Sequence, residues 1–200
     1  MKIITGFACC LFCLCLAVAS GQAPAEKQKP KTQKFSALAY LPSGAGRAMV
    51  GAGGTANVDL YVKDYTSDAE AQALARTLLD GGPDALHKAL EKSDSIGKVT
   101  LSGRVGFYDL KLIRSKPTET GRRVIAVGDR PMGFLELYVS NQSRDYEFGI
   151  LTLELKNDGK KEKGEGSLIY AAKVKVNEGN QIDIESYGVA PIRLMGVRQR

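Results

Sequence analysis

Four charged residues flank one short apolar run and are the best candidates for binding a partner. Arg122 and Arg123 precede the run, and Asp129 and Arg130 follow it in an Asp-Arg-Pro turn. Arginine suits anionic or planar partners because its guanidinium donates two hydrogen bonds in one plane. The competing interpretation is an ordinary turn, in which the aspartate accepts hydrogen bonds from the local backbone. We therefore predict a binding surface at these four residues, with the turn as the alternative.

Carboxylates offer a second kind of chemistry, since a glycosidase needs two of them facing each other across a cleft. Most of the acidic residues in the predicted strands alternate with apolar residues, which is typical of a strand face in water. A carboxylate-based hydrolase of a cell-wall or carbohydrate substrate therefore stays an alternative, with no pair singled out. The candidates are Asp59, Asp109, Glu136, Glu147, Glu154, Asp183 and Glu185.

Other catalytic motifs are excluded or disfavoured, either because the chain has too few residues of the required type or because the predicted secondary structure around the motif does not suit it. His87 is the single histidine, so a histidine-based triad and a multi-histidine metal site are excluded, and we expect it at the surface. The glycine-rich stretch 51–56 fits a loose dinucleotide pattern but leads into a strand. Ser95 and Lys98 have nucleophile spacing but lie where a helix ends. We predict no catalytic residue, no metal site and no cofactor, and we favour a binding protein over an enzyme.

The N-terminal segment predicts export. Lys2 precedes an apolar run over 3–18, and Ala17-Val18-Ala19 supplies the small residues that signal peptidase requires. We predict a signal peptide over 1–19 and a secreted or periplasmic protein. An uncleaved anchor is the alternative, although the run is short for a spanning helix. All four cysteines lie in this segment, so the mature chain is predicted to contain none.

Residues 20–34 are predicted to be a flexible tether, because lysine, proline and glutamine leave almost nothing apolar to bury. Its lysines could touch an anionic membrane surface or polymer, and a solvated linker is the alternative. The net charge of the full chain, +6, is too small to predict nucleic-acid binding. We expect the partner to be an envelope protein or an anionic polymer, and no transmembrane span after signal cleavage.

The rest of the chain, 35–200, is predicted to form one antiparallel β domain. Apolar and polar residues alternate in short segments that polar turns connect. The fold class is therefore mainly β (α+β), an antiparallel β-sandwich or a flattened barrel. The predicted strands are 35–41, 47–50, 56–65, 98–104, 107–115, 122–127, 132–140, 145–156, 166–176, 181–187 and 192–198.

Two segments depart from simple alternation. In 145–156 the apolar residues change phase near Gly149, which indicates either a bulge or bend that carries the strand from one sheet into another, or a strand buried on both faces. Over 67–93, Ser67 and Glu70 have the spacing of a helix capping box, and apolar residues follow at helical spacing. Because Gly82 ends one helix and Pro83 suits the start of another, we predict an αα-hairpin inserted between strands.

Short motifs are spread over most of the mature chain: Tyr65-Thr66-Ser67-Asp68, Gly81-Gly82-Pro83-Asp84-Ala85-Leu86, Asp129-Arg130-Pro131, Thr152-Leu153-Glu154-Leu155, Gly164-Glu165-Gly166 and Ile184-Glu185-Ser186-Tyr187-Gly188. Their succession resembles a group of uncharacterised exported bacterial β-rich proteins. The resemblance implies export and a bacterial envelope setting, and the group has no assigned activity, cofactor or catalytic residue.

The absence of a usable catalytic constellation, beside a well-formed strand pattern, predicts a non-catalytic exported binding or structural module of the bacterial envelope. A β-barrel carrier that encloses a small apolar ligand is one alternative; it requires an enclosed apolar cavity, and a solid core would exclude it. The carboxylate-based hydrolase is the other.

Overall fold

The computed structural model describes residues 32–41, 54–102, 106–132, 146–158, 161–177, 182–186 and 191–200. The predicted signal peptide, the predicted strand 47–50 and residues 133–140 of the predicted strand 132–140 lie outside these ranges. The described part is mainly β, as the alternation predicts. Its elements are β1(Gln33–Leu41), β2(Gly54–Val62), α1(Asp68–Lys92), β3(Gly97–Leu101), β4(Tyr108–Leu110), β5(Leu112–Thr118), β6(Gly121–Gly128), β7(Phe148–Asp158), β8(Lys161–Val176), β9(Ile182–Ser186) and β10(Ile192–Gln199).

Several boundaries differ from the predicted ones. β1 begins at Gln33, two residues inside the predicted tether. β7 continues to Asp158 and β8 starts at Lys161, so the polar stretch 157–166, predicted to be a turn, is mostly strand. The stretch is rich in lysine and glutamate, yet it pairs as two strands of a long hairpin. Cross-strand pairing gives the backbone N–H and C=O groups their hydrogen bonds, whatever the polarity of the side chains.

The strands form one antiparallel sheet in the order β4-β3-β2-β1-β10-β8-β7-β6-β5, and β9 pairs with β8 beside this path. The edge strands β4 and β5 are consecutive in the chain, and Lys111 alone separates them. The backbone N–H of Lys111 donates to the Val127 carbonyl oxygen at 2.9 Å, which ties the junction of the two edge strands to β6. The sheet is therefore a nearly closed barrel, and the predicted sandwich is not confirmed.

The interior of the barrel is filled with apolar side chains. Every strand except β9 contributes inward-facing residues to one buried cluster, because alternate positions of a strand point to the same face. Phe35, Leu110, Ile113, Leu151 and Leu194 are among the largest of these side chains, and each is at most 1% exposed. Since protein interiors of this kind are close-packed, the cluster holds the barrel together.

The helix α1 covers part of the outside of the barrel. Its Leu78, Leu86 and Leu90 form a second apolar cluster with residues of β7 and β8, including Phe148 and Ile150. The predicted capping box is confirmed at its start, where the Ser67 hydroxyl accepts from the Glu70 backbone N–H and the Glu70 carboxylate accepts from the Ser67 N–H.

The predicted αα-hairpin is not confirmed, because the structure has one helix with a kink. Gly82 is the residue with non-helical dihedral angles inside α1, at φ 73° and ψ −173°. A hairpin of two helices needs a loop of about two to five residues to reverse the chain. One residue outside the helical region redirects the axis, and Pro83 then continues the helix in its new direction.

The pattern around Gly149 is explained by burial on both faces of β7. Phe148 and Ile150 point outward against α1, whereas Leu151 and Leu153 point into the barrel. A register shift does occur at this level, but the extra residue belongs to the partner strand β8. The strand therefore follows the second of the two predicted alternatives, because a helix covers its outer side.

Candidate functional site

An apolar groove lies between α1 and the outer surface of the barrel, and we call it the α1 groove. Its volume is about 440 Å³, within the range of roughly 300–1,000 Å³ that is usual for small-molecule sites. Most of its lining is aliphatic or aromatic. The lining residues are Asp68, Ala71, Gln72, Leu74, Ala75, Leu78, Leu86, Leu90, Leu112, Arg114, Lys116, Ile125, Val127, Phe148, Ile150, Val174, Ile182 and Ile184.

The groove exists because several strands carry apolar residues on both faces. In β6, Val124 and Ala126 fill the barrel, whereas Ile125 and Val127 point outward and are only partly buried. In an antiparallel sheet with one wet face, the outward positions are usually polar. The outer apolar side chains therefore form a floor that α1 covers incompletely.

The second wall of the groove is the ribbon of β8 and β9. Ile182 lies opposite Val176, and Ile184 lies opposite Val174, so that all four side chains share one face. Ile182 and Ile184 are 51% and 50% exposed, although isoleucine is among the residue types most often buried. Two half-exposed isoleucines along a groove leave apolar surface that a ligand could cover.

Charged groups lie at the end of the groove where α1 begins. Arg114 forms an ion pair with Asp68 and donates a 2.7 Å hydrogen bond to the Thr66 carbonyl oxygen. Lys116 lies two residues further along the same face of β5 and is exposed. No ion pair joins Lys116 to another described residue, so this end of the groove has a free positive charge.

The second half of α1 is anchored to the barrel by His87, which the sequence places at the surface. Its Nε2 atom lies 2.7 Å from the Asp129 carbonyl oxygen, and its ring meets Phe148 edge to face at 5.9 Å between centroids. Glu147 is 3.8 Å from the other ring nitrogen. The imidazole is therefore a half-buried contact between helix and sheet, and it lies outside the groove lining.

Arg122, predicted to be a binding residue, is engaged within the protein. Its guanidinium donates to both Glu162 carboxylate oxygens at 2.6 Å, to the Tyr65 hydroxyl at 2.8 Å and to the Gln33 side-chain oxygen at 3.0 Å. The hydrogen bonds to Glu162 raise the pKa of Arg122. Burial raises the pKa of the Tyr65 hydroxyl, an effect that the nearby guanidinium opposes. This arginine joins β1, β6 and β8 at one end of the barrel.

The other three predicted binding residues are separated or engaged. Arg123 forms an exposed ion pair with Glu154, and Arg130 lies over the Tyr108 ring. The Asp129 carboxylate is 3.7 Å from the Lys111 ammonium. Because β6 places the arginine pair at one end and the turn at the other, about 20 Å apart for a strand of this length, the structure does not bring the four together.

The described candidate carboxylates are spread over four strands and the residue before β7, and Asp183 and Glu185 share β9. Asp59 accepts from Ser36 at 2.6 Å, Asp109 accepts from Ser95 at 2.5 Å, and Glu185 bonds Lys175 at 2.5 Å. Glu136 lies outside the described residues. Glu154 does face another carboxylate, that of Glu165 across β7 and β8, but neither residue lines the α1 groove.

Within the described ranges, no three His, Cys, Asp or Glu side chains are grouped closely enough to hold a metal ion. Over the same ranges, no helix has both the length and the apolar character needed to cross a membrane. Comparisons of the chain with protein-family models, with curated proteins and with solved structures found no match.

Proposed function

We propose that this protein is a non-catalytic, exported binding protein that holds a small apolar-chain ligand in the α1 groove. The observation that carries the proposal is the groove itself, an open apolar cavity of about 440 Å³ with two half-exposed isoleucines along one wall. Covering apolar surface stabilises a complex by about 25 cal/mol per Å² before the costs of association. The interior of the barrel is filled with apolar side chains, which excludes the alternative of a barrel that encloses its ligand. The site that we propose is a different one, the groove on the outside of the barrel.

The rim of the groove specifies the other end of the ligand. Lys116 provides a positive charge without an ion-pair partner among the described residues, and Arg114 lies beside it. A ligand with an anionic head group would form an ion pair with the Lys116 ammonium, and the apolar chain of the ligand would extend between α1 and β9. A medium-chain fatty acid such as dodecanoic acid has this chemistry, and we propose this class of ligand.

The experiment fills the groove from the helix side. Ala75 lines the groove, so Ala75→Phe places a ring where the ligand chain would lie. We expect dodecanoic acid to bind at least about tenfold more weakly to this variant, a loss of roughly 1.4 kcal/mol. Displacement of a fluorescent fatty acid measures the affinity, and circular dichroism confirms that the fold is kept.

The matched control is Ala73→Phe, the same substitution at an exposed position of the same helix that does not line the groove. This variant should bind like the wild type. Equal affinity of all three proteins for dodecanoic acid, or an equal loss in both variants, would contradict the proposal.

A further inference from the structure

The outer face of β1 and β10 combines exposed cations with exposed apolar side chains. The register places Leu38 opposite Met195 and Tyr40 opposite Arg193. Directly opposite residues of antiparallel strands point to the same side of the sheet, so these side chains form one surface. We call it the β1–β10 face and define it by Leu38, Tyr40, Arg193, Met195, Arg198 and Arg200.

The apolar residues of this face are unusually open to solvent. Leu38 and Met195 are each 37% exposed, and Tyr40 is 47% exposed. A surface that needed only to stay in water would carry polar residues at these outward positions. Leucine, methionine and tyrosine between arginines instead form an amphipathic surface, with apolar groups that can enter an apolar medium and cations that can stay at its edge.

The positive charge continues across neighbouring strands at the level of Arg198. Lys163 of β8 lies directly opposite Arg198 of β10, and Lys156 of β7 lies directly opposite Lys163. Lys163 already interacts with another group of the protein, so the cations that this side leaves for a partner are Arg193 and Arg198 of β10.

The acidic groups near the face do not neutralise it. Asp59 is already engaged, by Lys34 at 3.0 Å and by the Ser36 hydroxyl at 2.6 Å. Glu165 of β8 and Glu154 of β7 lie opposite each other on this side, and Glu154 forms an ion pair with Arg123. In the described part of the chain, no carboxylate lies within ion-pair distance of Arg193 or Arg198.

We infer that the β1–β10 face docks on an anionic lipid bilayer, with the arginines among the phosphate head groups and Leu38 and Met195 at the edge of the hydrocarbon. The exposed apolar residues favour a bilayer over a soluble anionic polymer, because such a polymer has no hydrocarbon region in which these side chains could be buried. α1 packs on one half of β8, against Ala172 and Val174, whereas β10 pairs with the other half, at Lys163–Leu168. The β1–β10 face and the lining of the α1 groove share no residue, so the inference does not depend on the proposed ligand.

The test is vesicle co-sedimentation, without any fatty acid, of the protein recovered from the exported fraction of the expressing cells. One set of vesicles contains phosphatidylcholine alone, and the other contains equal amounts of phosphatidylcholine and phosphatidylglycerol. We expect binding to the anionic set. Arg193→Gln with Arg198→Gln should weaken that binding about 25-fold, since each basic residue near such a surface contributes about fivefold.

The control removes two cations from α1, outside the β1–β10 face, by Arg76→Gln with Lys88→Gln. Both residues are exposed, and this variant should bind anionic vesicles far better than the β1–β10 variant. Leu38→Ser with Met195→Ser should also reduce binding several-fold, although it changes no charge.

Three outcomes would overturn the inference. The first is equal weakening by the β1–β10 arginine variant and by the α1 control, and the second is binding that does not change in Leu38→Ser with Met195→Ser. The third is failure to bind anionic vesicles together with tight, Arg198-dependent binding of a soluble anionic polysaccharide, which would assign the face to a polymer instead.

Discussion

At the scale of single residues, Lys116 is the side chain through which the groove would distinguish an acid from a neutral ligand. Lys116→Gln should weaken the binding of dodecanoic acid about two- to fivefold, in line with the roughly 0.2–1 kcal/mol of an exposed ion pair. Binding of dodecanol should not change, because the alcohol has no charge. The difference should shrink at high salt, which screens exposed charges.

Lys161→Gln is the control for this prediction, because Lys161 is exposed on β8 and does not line the groove. Titration calorimetry of both ligands with both variants gives the four affinities. A parallel loss for acid and alcohol in Lys116→Gln would mean that the lysine acts by shaping the groove rather than by its charge.

The residue scale is also where sequence-based prediction of the site was least informative. Arg122 stands out in the sequence as a cation beside another cation, which suggests a surface for partners. Its partners Gln33, Tyr65 and Glu162 come from three distant segments, and only the closing of the barrel brings them together. His87 was expected at the surface for a similar reason, since its contact with Asp129 forms only when the helix docks.

At the scale of elements, Gly82 lets both halves of α1 follow the curved outer surface of the barrel. Its dihedral angles lie in a region that is essentially restricted to glycine. Gly82→Ala should therefore lower the free energy of unfolding by about 1–3 kcal/mol, measured by urea denaturation. Asp80→Ala, at an exposed position two residues earlier, should change it by at most about 0.5 kcal/mol. Equal stability of the two variants would show that the kink carries no conformational strain.

Elements whose signals are local were predicted well. The capping box needs only Ser67 and Glu70, three residues apart, and its confirmation follows from that short range. The kink was read as a helix boundary, because a glycine followed by a proline gives the same signal for both. The groove does have a signal in the sequence, the run Val124–Val127, because apolar residues on both faces of β6 indicate an outer surface that another element covers.

At the scale of the whole molecule, alternation predicted an antiparallel β domain but did not distinguish a barrel from a sandwich. The choice depends on whether β1 pairs with β10 and whether the two edge strands β4 and β5 come together. Both features join the ends of the sheet or of the chain, and no local sequence pattern specifies them. The same closure fills the interior with side chains and leaves the apolar cavity on the outside, against α1. In the function that we propose, the ligand therefore lies on the outside of the barrel, with the helix as a cover.

The most direct test of this account is an NMR titration of methyl-labelled protein with dodecanoic acid. We predict that the methyl signals of Leu74, Leu78, Ile150 and Ile184 shift, because these residues line the α1 groove. The signals of Leu153, Leu168 and Leu194, inside the barrel, should stay in place. Shifts confined to the interior methyl groups, or no shifts at saturating dodecanoic acid, would contradict the assignment of the groove as the binding site.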